Sequence, residues 1–268
     1  TAMALAWRAG SWGSQRHRVR LERLSRVELT ELFVFIDPQR FVPFRDSFLG
    51  FEYRKVEFME GPGRVEQITS YLAEEPPEQR LFVWVHLFGP HEPYEARPGF
   101  DFGSRDVDRY DSEIAYAAAA IGDITQAFLP KHPGALIIIS ADHGEEFGDH
   151  GGRYHGATVY EEQVRVPLIF YAPELFKSRT VQEPVQTIDV LPTVLTALDV
   201  PQPPRVRGRN LAAALLGQGD RDADAGLALA ESEDQVMLAQ GTYRLLCQRQ
   251  LGACRLFDVS SDPGEQTD

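Results

Sequence analysis

An apolar run that ends in a carboxylate and an imidazole is the part of this sequence best suited to chemistry. Residues 137–139 are three isoleucines, and Asp142, His143 and Gly144 follow after two further residues. A β-branched run without alternation predicts a strand covered on both faces, and ligands of open α/β sheets bind beyond the carboxyl ends of such strands. An Asp oxygen and a His nitrogen suit zinc or manganese, and they suit calcium where the His is a weak ligand. We predict Asp142 and His143 as metal ligands, although Asp-His-Gly alone equally fits a turn capped by Asp.

The residues that follow form a polar, glycine-rich segment. Residues 142–156 read DHGEEFGDHGGRYHG and contain three histidines, four carboxylates and five glycines. Glycine permits positive φ and lets the backbone approach a ligand closely, so the segment predicts a loop wrapped around a small polar ligand. A solvated acidic loop is the alternative.

A second apolar run also ends in a turn that carries histidines. It reads LFVWVHLFGPHEPY over residues 81–94, with Pro90 and Pro93 on either side of His91. These prolines restrict the backbone around His91, so its imidazole is presented by a stiff loop. A histidine so placed is suited to act as a general acid near neutral pH, and we predict this role for His91. His86 lies inside the run and is predicted to be a packed strand residue.

Strands and helices must alternate to position these loops. The predicted strands are 32–36, 81–86, 135–140 and 166–171, and the predicted helices are 65–74, 106–128 and one that begins near 189. Alternation of this kind indicates an α/β fold with a mostly parallel, doubly wound sheet.

The pattern changes beyond about residue 222. Four short runs predict a small antiparallel sheet, at 227–231, 235–239, 243–248 and 254–259. We therefore predict two domains, residues 1–221 and 222–268. A hairpin turn at Leu251-Gly252 would bring Cys247 and Cys254 near one another, which fits a disulfide and equally fits two small apolar residues.

Composition restricts the function classes. The 268 residues are 43% hydrophobic and 25% charged, with a formal net charge of −13, which disfavours a nucleic-acid partner. A small anionic ester remains compatible, because histidines and a bound cation would reverse the potential locally. No apolar run reaches membrane-spanning length. The arginine-rich residues 16–26 predict a solvated amphipathic helix.

Taken together, six collinear stretches resemble the sulfatase branch of the alkaline phosphatase superfamily, from about Leu81 to the C-terminus. They are VHLFGPHEPY (85–94), YDSEIAYAAAAIG (110–122), IIISADHGEEFGDHGGRYHGATVYEEQVRVPLIFYAP (137–173), TIDVLPTVLTAL (187–198), RGRNLAAALLG (207–217), and YRLL (243–246) with LFDVSSDPGEQTD (256–268).

The resemblance implies roles for individual residues. Asp142 and His143 match a downstream pair of metal ligands, and His91 matches a histidine that can protonate the departing oxygen. His155 falls where many sulfatases place a lysine beside the sulfate, and His150 matches a histidine predicted to contact substrate. The implied cofactor is a divalent cation, calcium for a sulfatase and manganese or zinc for a phosphodiesterase. The implied partner is a small anionic ester, and the implied location is extracytoplasmic.

Three positions depart from the family pattern. Asp149 replaces a Glu, Gly89 stands where relatives commonly have Asp before Pro-His, and Ala118 interrupts a stretch that often carries Asp. The change at Gly89 removes a polar group near the predicted acid, whereas the change at Ala118 alters a helix surface.

The family's first-strand acidic pair and its nucleophile have no clear counterpart. No strand ending in Asp-Asp precedes residue 81, and both cysteines lie far too late in the chain to be nucleophiles. Thr1 is a candidate nucleophile, because residues 16–20 read RHRVR where the threonine branch often has RHGVR, although the Pro expected at position 3 is Met3. The alternative is that the chain simply begins at this residue. We predict a metal-dependent hydrolase of sulfate esters. A phosphodiesterase or phosphonate monoester hydrolase is the nearest alternative, and a fragment or an inactive, non-catalytic sulfatase-like module is the other.

Overall fold

A computed structural model describes residues 2–8, 31–35, 62–77, 81–219 and 224–268. The chain divides into two compact units, the first made of residues 1–142 and 167–175 and the second of residues 143–166 and 176–268. The predicted domains, residues 1–221 and 222–268, stay predictions. Thr1 and the amphipathic helix predicted for residues 16–26 lie outside the described residues.

The first unit is an α/β assembly with one sheet. Its elements are β1 (Ala2–Arg8), β2 (Glu31–Phe35), α1 (Pro62–Glu74), β3 (Leu81–Leu87), α2 (Asp106–Phe128), β4 (Ala135–Ala141) and β5 (Leu168–Tyr171). The predicted elements of this region are confirmed to within a few residues. α2 in particular has the predicted bounds, and its start is marked by Asp108, whose carboxylate accepts a hydrogen bond from the backbone N of Arg105 at 3.0 Å.

The sheet has the strand order β2-β3-β1-β4-β5. β2 is parallel to β3, whereas β1 is antiparallel to both β3 and β4, and β5 is antiparallel to β4. The predicted strands β2, β3 and β4 therefore share one direction, whereas the unpredicted β1 and the predicted β5 run the other way, so the pairing is mixed. The sequence of β1, AMALAWR, is rich in alanine and lacks the β-branched residues that mark a strand. The α/β class is confirmed.

The register brings the ends of β3 and β4 to one edge of the sheet. Ala2 pairs with Leu87, the last residue of β3, and also with Ala141, the last residue of β4. Because adjacent strands lie about 4.8 Å apart, the two strand ends are about 10 Å apart. The segments that follow these two strands carry His91 and Asp142.

The core of the first unit lies between the sheet and two helices. Alternate residues of β3 face this core, and α1 and α2 cover them. The buried residues are Ile68, Leu72, Leu81, Val83, Val85, Ile124, Phe128 and Ala135. Burial of this apolar face is the main reason that β3 holds its position. Over the residues that the structure describes, no helix has the length and apolar character needed to cross a membrane.

The second unit combines short helices with an antiparallel sheet. Its elements are α3 (Glu161–Val164), a 3₁₀ turn (Thr187–Asp189), α4 (Val190–Ala197), α5 (Ala212–Leu216), β6 (Leu227–Glu231), β7 (Gln235–Gln240), β8 (Tyr243–Gln248) and β9 (Ala253–Asp258). Pro192 lies in the first turn of α4, where a missing N–H costs no helical hydrogen bond. The four strands pair in sequence order, which confirms the predicted C-terminal sheet.

One face of this second sheet is buried and the other is exposed. Met237, Ala239, Leu246 and Phe257 pack against residues 159–160. The sheet therefore shares its core with the segment that follows the histidines.

Cys247 and Cys254 are directly opposite in the β8–β9 ladder and form a disulfide. The hairpin turn predicted at Leu251-Gly252 joins these two strands. The structure thus decides between the two states of the cysteines that the sequence left open.

Adjacent leucines of β8 offer a matched test of this packing. Leu246 is 1% exposed and Leu245 is 39% exposed on the opposite face. Leu246→Ala should lower the free energy of unfolding by about 2–5 kcal/mol, because it removes buried methyl groups and leaves a cavity. Leu245→Ala should cost about 1 kcal/mol or less. Urea denaturation of both variants measures the difference, and equal losses would contradict the assigned faces.

Candidate functional site

The carboxyl end of β4 delivers two of the predicted site residues. Asp142 follows the strand directly and is exposed, and His143 comes next and is half-buried. Nδ1 of His143 lies 2.8 Å from the carbonyl oxygen of Gly144, so this nitrogen carries the proton. In a neutral ring with this tautomer, Nε2 carries the lone pair, which is the form of histidine that binds a metal.

His143 contacts a second predicted residue, His155. Their rings are stacked with centroids 3.8 Å apart, and Nδ1 of His155 lies 3.1 Å from Oε1 of Glu145. The side chain of Glu145 is 2% exposed. A buried carboxylate that accepts a hydrogen bond from one ring nitrogen fixes the orientation of the ring and its tautomer. The second unit therefore holds a cluster of two imidazoles and one carboxylate.

These histidines belong to residues 143–156, here called the histidine loop. The side chain of Glu146 holds this loop in shape from inside. Oε1 of Glu146 accepts hydrogen bonds from the backbone N of His150 at 3.1 Å and of Gly152 at 2.7 Å. Oε2 accepts one from the side chain of Gln163 at 2.8 Å. The backbone groups of Glu146 also exchange two hydrogen bonds with Tyr154. The buried side chain of Glu146 thus supplies hydrogen-bond acceptors for backbone N–H groups of the loop, which has no apolar core of its own.

The start of the histidine loop lies directly against α3. The backbone N of Gly144 donates to the carbonyl of Gln163 at 2.7 Å, and that of Glu145 donates to the carbonyl of Glu162 at 2.9 Å. A Cβ atom at Gly144 would lie 2.1 Å from the carbonyl oxygen of Glu162. Glycine is therefore required here for close approach of two backbones.

His150 is engaged on both ring nitrogens and on one face. Nδ1 lies 2.8 Å from Oε1 of Glu162, Nε2 lies 3.2 Å from the carbonyl of Glu265, and the ring stacks on Tyr160 at 3.5 Å. Burial acts to lower the pKa of His150, but the hydrogen bonds to Glu162 and Glu265 outweigh it and the pKa lies above its ordinary value. These contacts tie His150 to α3 and to the C-terminus.

His91 lies in the segment after β3, the proline loop (residues 88–97). Its Nδ1 is 2.8 Å from the carbonyl of Glu92 and 3.0 Å from Oε2 of the same residue. His86 lies within β3 with its ring stacked on Phe88, as expected for a packed strand residue.

The proline loop is held on α2 by Glu113. Its Oε1 accepts hydrogen bonds from the backbone N of Glu95 at 3.2 Å and from the guanidinium of Arg97 at 2.9 Å. The backbone N of Arg97 donates to Oγ of Ser112 at 2.9 Å. Burial raises the pKa of Glu113 above its ordinary value, although its bonds to Glu95 and Arg97 act in the opposite direction.

The structure brings together His143 and His155, with Asp142 adjacent in the chain, and it places His150 against Glu162 and the C-terminus. The roles assigned to these histidines, to His91 and to Thr1 stay predictions. Sequence reasoning missed the buried carboxylates that support these segments, among them Glu113, Glu145 and Glu146. Glu145 and Glu146 could have been found, since a loop with almost no apolar residues needs internal hydrogen-bond acceptors.

Comparison with known proteins gives a consistent result. A family model described as Sulfatase matches residues 64–200. The uncharacterized sulfatase YidJ of Escherichia coli is 35% identical over 94 residues, which are 35% of this chain and 19% of that protein. The extracellular sulfatase SULF-1 homolog of Drosophila melanogaster is 31% identical over 141 residues, 49% of this chain and 13% of that protein.

A solved structure extends the likeness over most of the chain. A 2-O GAG sulfatase is similar with a TM-score of 0.62 and 17% identity, covering 83% of this chain and 64% of that one. At this identity the likeness concerns the fold. The chain spans less than half the length of the curated relatives that it matches first.

Two glycines test the close approach at the start of the histidine loop. Gly144→Ala should lower the free energy of unfolding by about 1–3 kcal/mol, because the new Cβ meets the backbone of α3. Gly122→Ala is the control: it lies inside α2, and a Cβ there has no atom within 4 Å. It should be neutral or stabilise the protein by up to about 1 kcal/mol. Denaturant unfolding checks both values, and a harmless Gly144→Ala would contradict the geometry.

The raised pKa of Glu113 predicts a pH dependence. The folded pKa lies above the unfolded value of about 4.3. The folded state therefore binds more protons, so the stability contributed by this group is complete below about pH 4.3 and is lost as the pH rises through the raised pKa. Glutamine does not titrate. The free energy of unfolding of the wild type minus that of Glu113→Gln should therefore fall as the pH rises above about 4.3. Urea denaturation of both proteins at a series of pH values measures this difference. A difference that grows as the pH rises would contradict the prediction.

Proposed function

The chain belongs to the sulfatase family, and from this premise we propose that the protein it represents is a metal-dependent hydrolase of sulfate esters. The observation that supports the proposal most is the stacked pair of His143 and His155 with the buried carboxylate of Glu145. Imidazoles held in a fixed orientation suit proton transfer and the binding of an anionic group.

The residues at the end of β4 fit a divalent cation. His143 donates from Nδ1, so its Nε2 has the lone pair that a metal takes, and Asp142 is an exposed carboxylate at the same strand end. We propose these two residues as ligands, with calcium as the metal of a sulfatase and manganese or zinc as that of a phosphodiesterase. When bound, such a cation polarises ester oxygens and lowers the pKa of a nucleophile.

The protein's own groups perform the proton and charge steps of the proposed reaction. The nucleophilic hydroxyl loses its proton to solvent and its oxygen attacks sulfur, the bond from sulfur to the ester oxygen breaks, and His91 gives its proton to the departing oxygen. Water then hydrolyses the sulfated nucleophile and releases sulfate. His155, when both of its ring nitrogens carry a proton, stabilises the negative charge of the transferred group, and Glu145 fixes its ring. Thr1 is the proposed nucleophile, and Ala2, which follows it, pairs with the ends of β3 and β4.

The proposed substrate is a small anionic ester rather than a nucleic acid, in keeping with the net charge of −13. An extracytoplasmic location is also proposed, because relatives include an extracellular sulfatase. The substrate contact predicted for His150 is left out of the reaction, since both of its ring nitrogens already face acceptors.

The general-acid role of His91 is tested by the leaving group. In the full-length natural protein, His91→Gln should lower kcat about 10²–10⁴-fold for an alkyl or phenyl sulfate, whose departing oxygen needs a proton. It should have a much smaller effect on 4-nitrophenyl sulfate, because that oxygen leaves as a stable anion. Steady-state rates on the two substrates measure the ratio. An equal loss on both would remove His91 from the role of acid.

Activity assays on the same protein distinguish the sulfatase, the phosphodiesterase and the non-catalytic module. Hydrolysis of aryl sulfates above that of aryl phosphate diesters and phosphonate monoesters supports the proposed sulfatase. The reverse preference supports the phosphodiesterase alternative. Loss of all three activities in the metal-loaded, full-length protein supports a non-catalytic module.

A further inference from the structure

The C-terminal segment Asp262–Asp268, here called the C-terminal strap, is tied to residues far upstream. Its Glu265 is 1% exposed and has a positive φ of 51°, a backbone conformation that side chains rarely adopt. Oε2 of Glu265 accepts a hydrogen bond from the backbone N of Glu161 at 2.8 Å, across a separation of 104 residues. A buried acid in an unfavourable backbone conformation is retained only where surrounding contacts hold it.

Through Glu161, the strap stabilises the short helix α3. Glu161 is the first residue of α3, and its N–H has no acceptor within the helix. The carbonyls of the next two residues of α3 accept hydrogen bonds from Gly144 and Glu145. The carboxylate of Glu265 thus supports the helix on which the start of the histidine loop rests.

Through His150, the strap reaches the middle of the same loop. Nε2 of His150 faces the carbonyl of Glu265, and Nδ1 faces the carboxylate of Glu162. Both of these acceptors are satisfied when the ring is an imidazolium. The side-chain amide of Gln266 lies 3.2 Å from Nε2 and donates to the carbonyl of Asp149 at 3.3 Å, and it is the group from which Nε2 of a neutral ring would accept.

The surroundings of His150 are mostly acidic. Glu146 accepts from its backbone N, and Asp149 precedes it in the loop. On the other side, its ring lies on Tyr160, whose hydroxyl accepts a hydrogen bond from Arg255. A cationic ring is therefore matched by carboxylates from the loop and from α3, and by the carbonyl of the strap.

We propose that the C-terminal strap is a positioning element of the candidate site. Glu265 acts through α3 and through His150 to hold the histidine loop in its working shape, and neither residue contacts the substrate. The inference rests on the proposed function only for the catalytic importance of that loop.

The test compares two acidic residues of the strap. Glu265→Ala removes the acceptor for Glu161, whereas Asp268→Ala removes a carboxylate that accepts from the backbone N of Leu256 at 2.8 Å. Amide hydrogen exchange and the titration of His150, followed by NMR on the whole chain without metal or substrate, are the two readouts. Neither readout depends on sulfatase activity, so a failure of this proposal can be told apart from a failure of the proposed function.

In Glu265→Ala, exchange of the Gly144 and Glu145 amides should rise at least tenfold, and the pKa of His150 should move down. Amides of the β7–β8 ladder should stay within about twofold of the wild type. Asp268→Ala should leave both readouts unchanged and speed exchange at Leu256. Loop exchange that does not change in Glu265→Ala, or that rises equally in the ladder, would overturn the proposal.

A second variant decides if Glu265→Ala does not fold. Glu265→Gln keeps an oxygen that can accept from Glu161 and removes the negative charge beside His150. The loop amides should then stay protected while the pKa of His150 falls below that of the wild type. A His150 titration identical to the wild type would refute the role of the strap.

Discussion

A loop made almost entirely of polar residues and glycine cannot stabilise itself by burying apolar surface. The shape of the candidate site depends on how the protein meets this constraint. The histidine loop meets it with Glu146, which is 1% exposed and accepts hydrogen bonds from two backbone amides of the loop and from the side chain of Gln163. The charged carboxylate makes stronger hydrogen bonds than a neutral acceptor would. Its burial would be costly without these donors. Because these bonds fix the backbone on both sides of His150, the positions of the neighbouring histidines depend on a residue that takes no part in the proposed reaction.

A buried carboxylate also holds a segment in place at two other positions. Glu113 fixes the proline loop on α2, and Glu265 fixes α3 from the C-terminus. In both cases burial is the largest influence on the carboxyl group and raises its pKa. Burial thus weakens the preference of each of these acids for its charged form, which is the cost of organising a polar loop from inside. Ion pairs on the surface could not do this, because solvent screens them and holding two long side chains in one geometry costs conformational entropy.

Most elements followed from local sequence, whereas the supports of the site did not. β3 and β4 are apolar runs, and α2 combines a helical apolar pattern with aspartates in its first turn, so their bounds could be predicted. β1 could not, because AMALAWR has little β propensity and gains its place by pairing with β3 and β4. His143 and His155 stand out by residue type. The contact of His150 with Glu265 joins residues 115 positions apart, and no local pattern contains it.

The register of β1 also explains how one sheet edge can serve a reaction with several participants. Leu87 and Ala141 flank Ala2, so the segments after β3 and β4 start about 10 Å apart. Four residues of extended chain span at most about 14 Å, and His91 is the fourth residue after Leu87. This spacing is compatible with the role of acid that we propose for His91. Had β3 and β4 been direct neighbours, the two segments would start about 5 Å apart, with no strand between them. The antiparallel β1 supplies this spacing, and its first residue, Ala2, lies at the same edge.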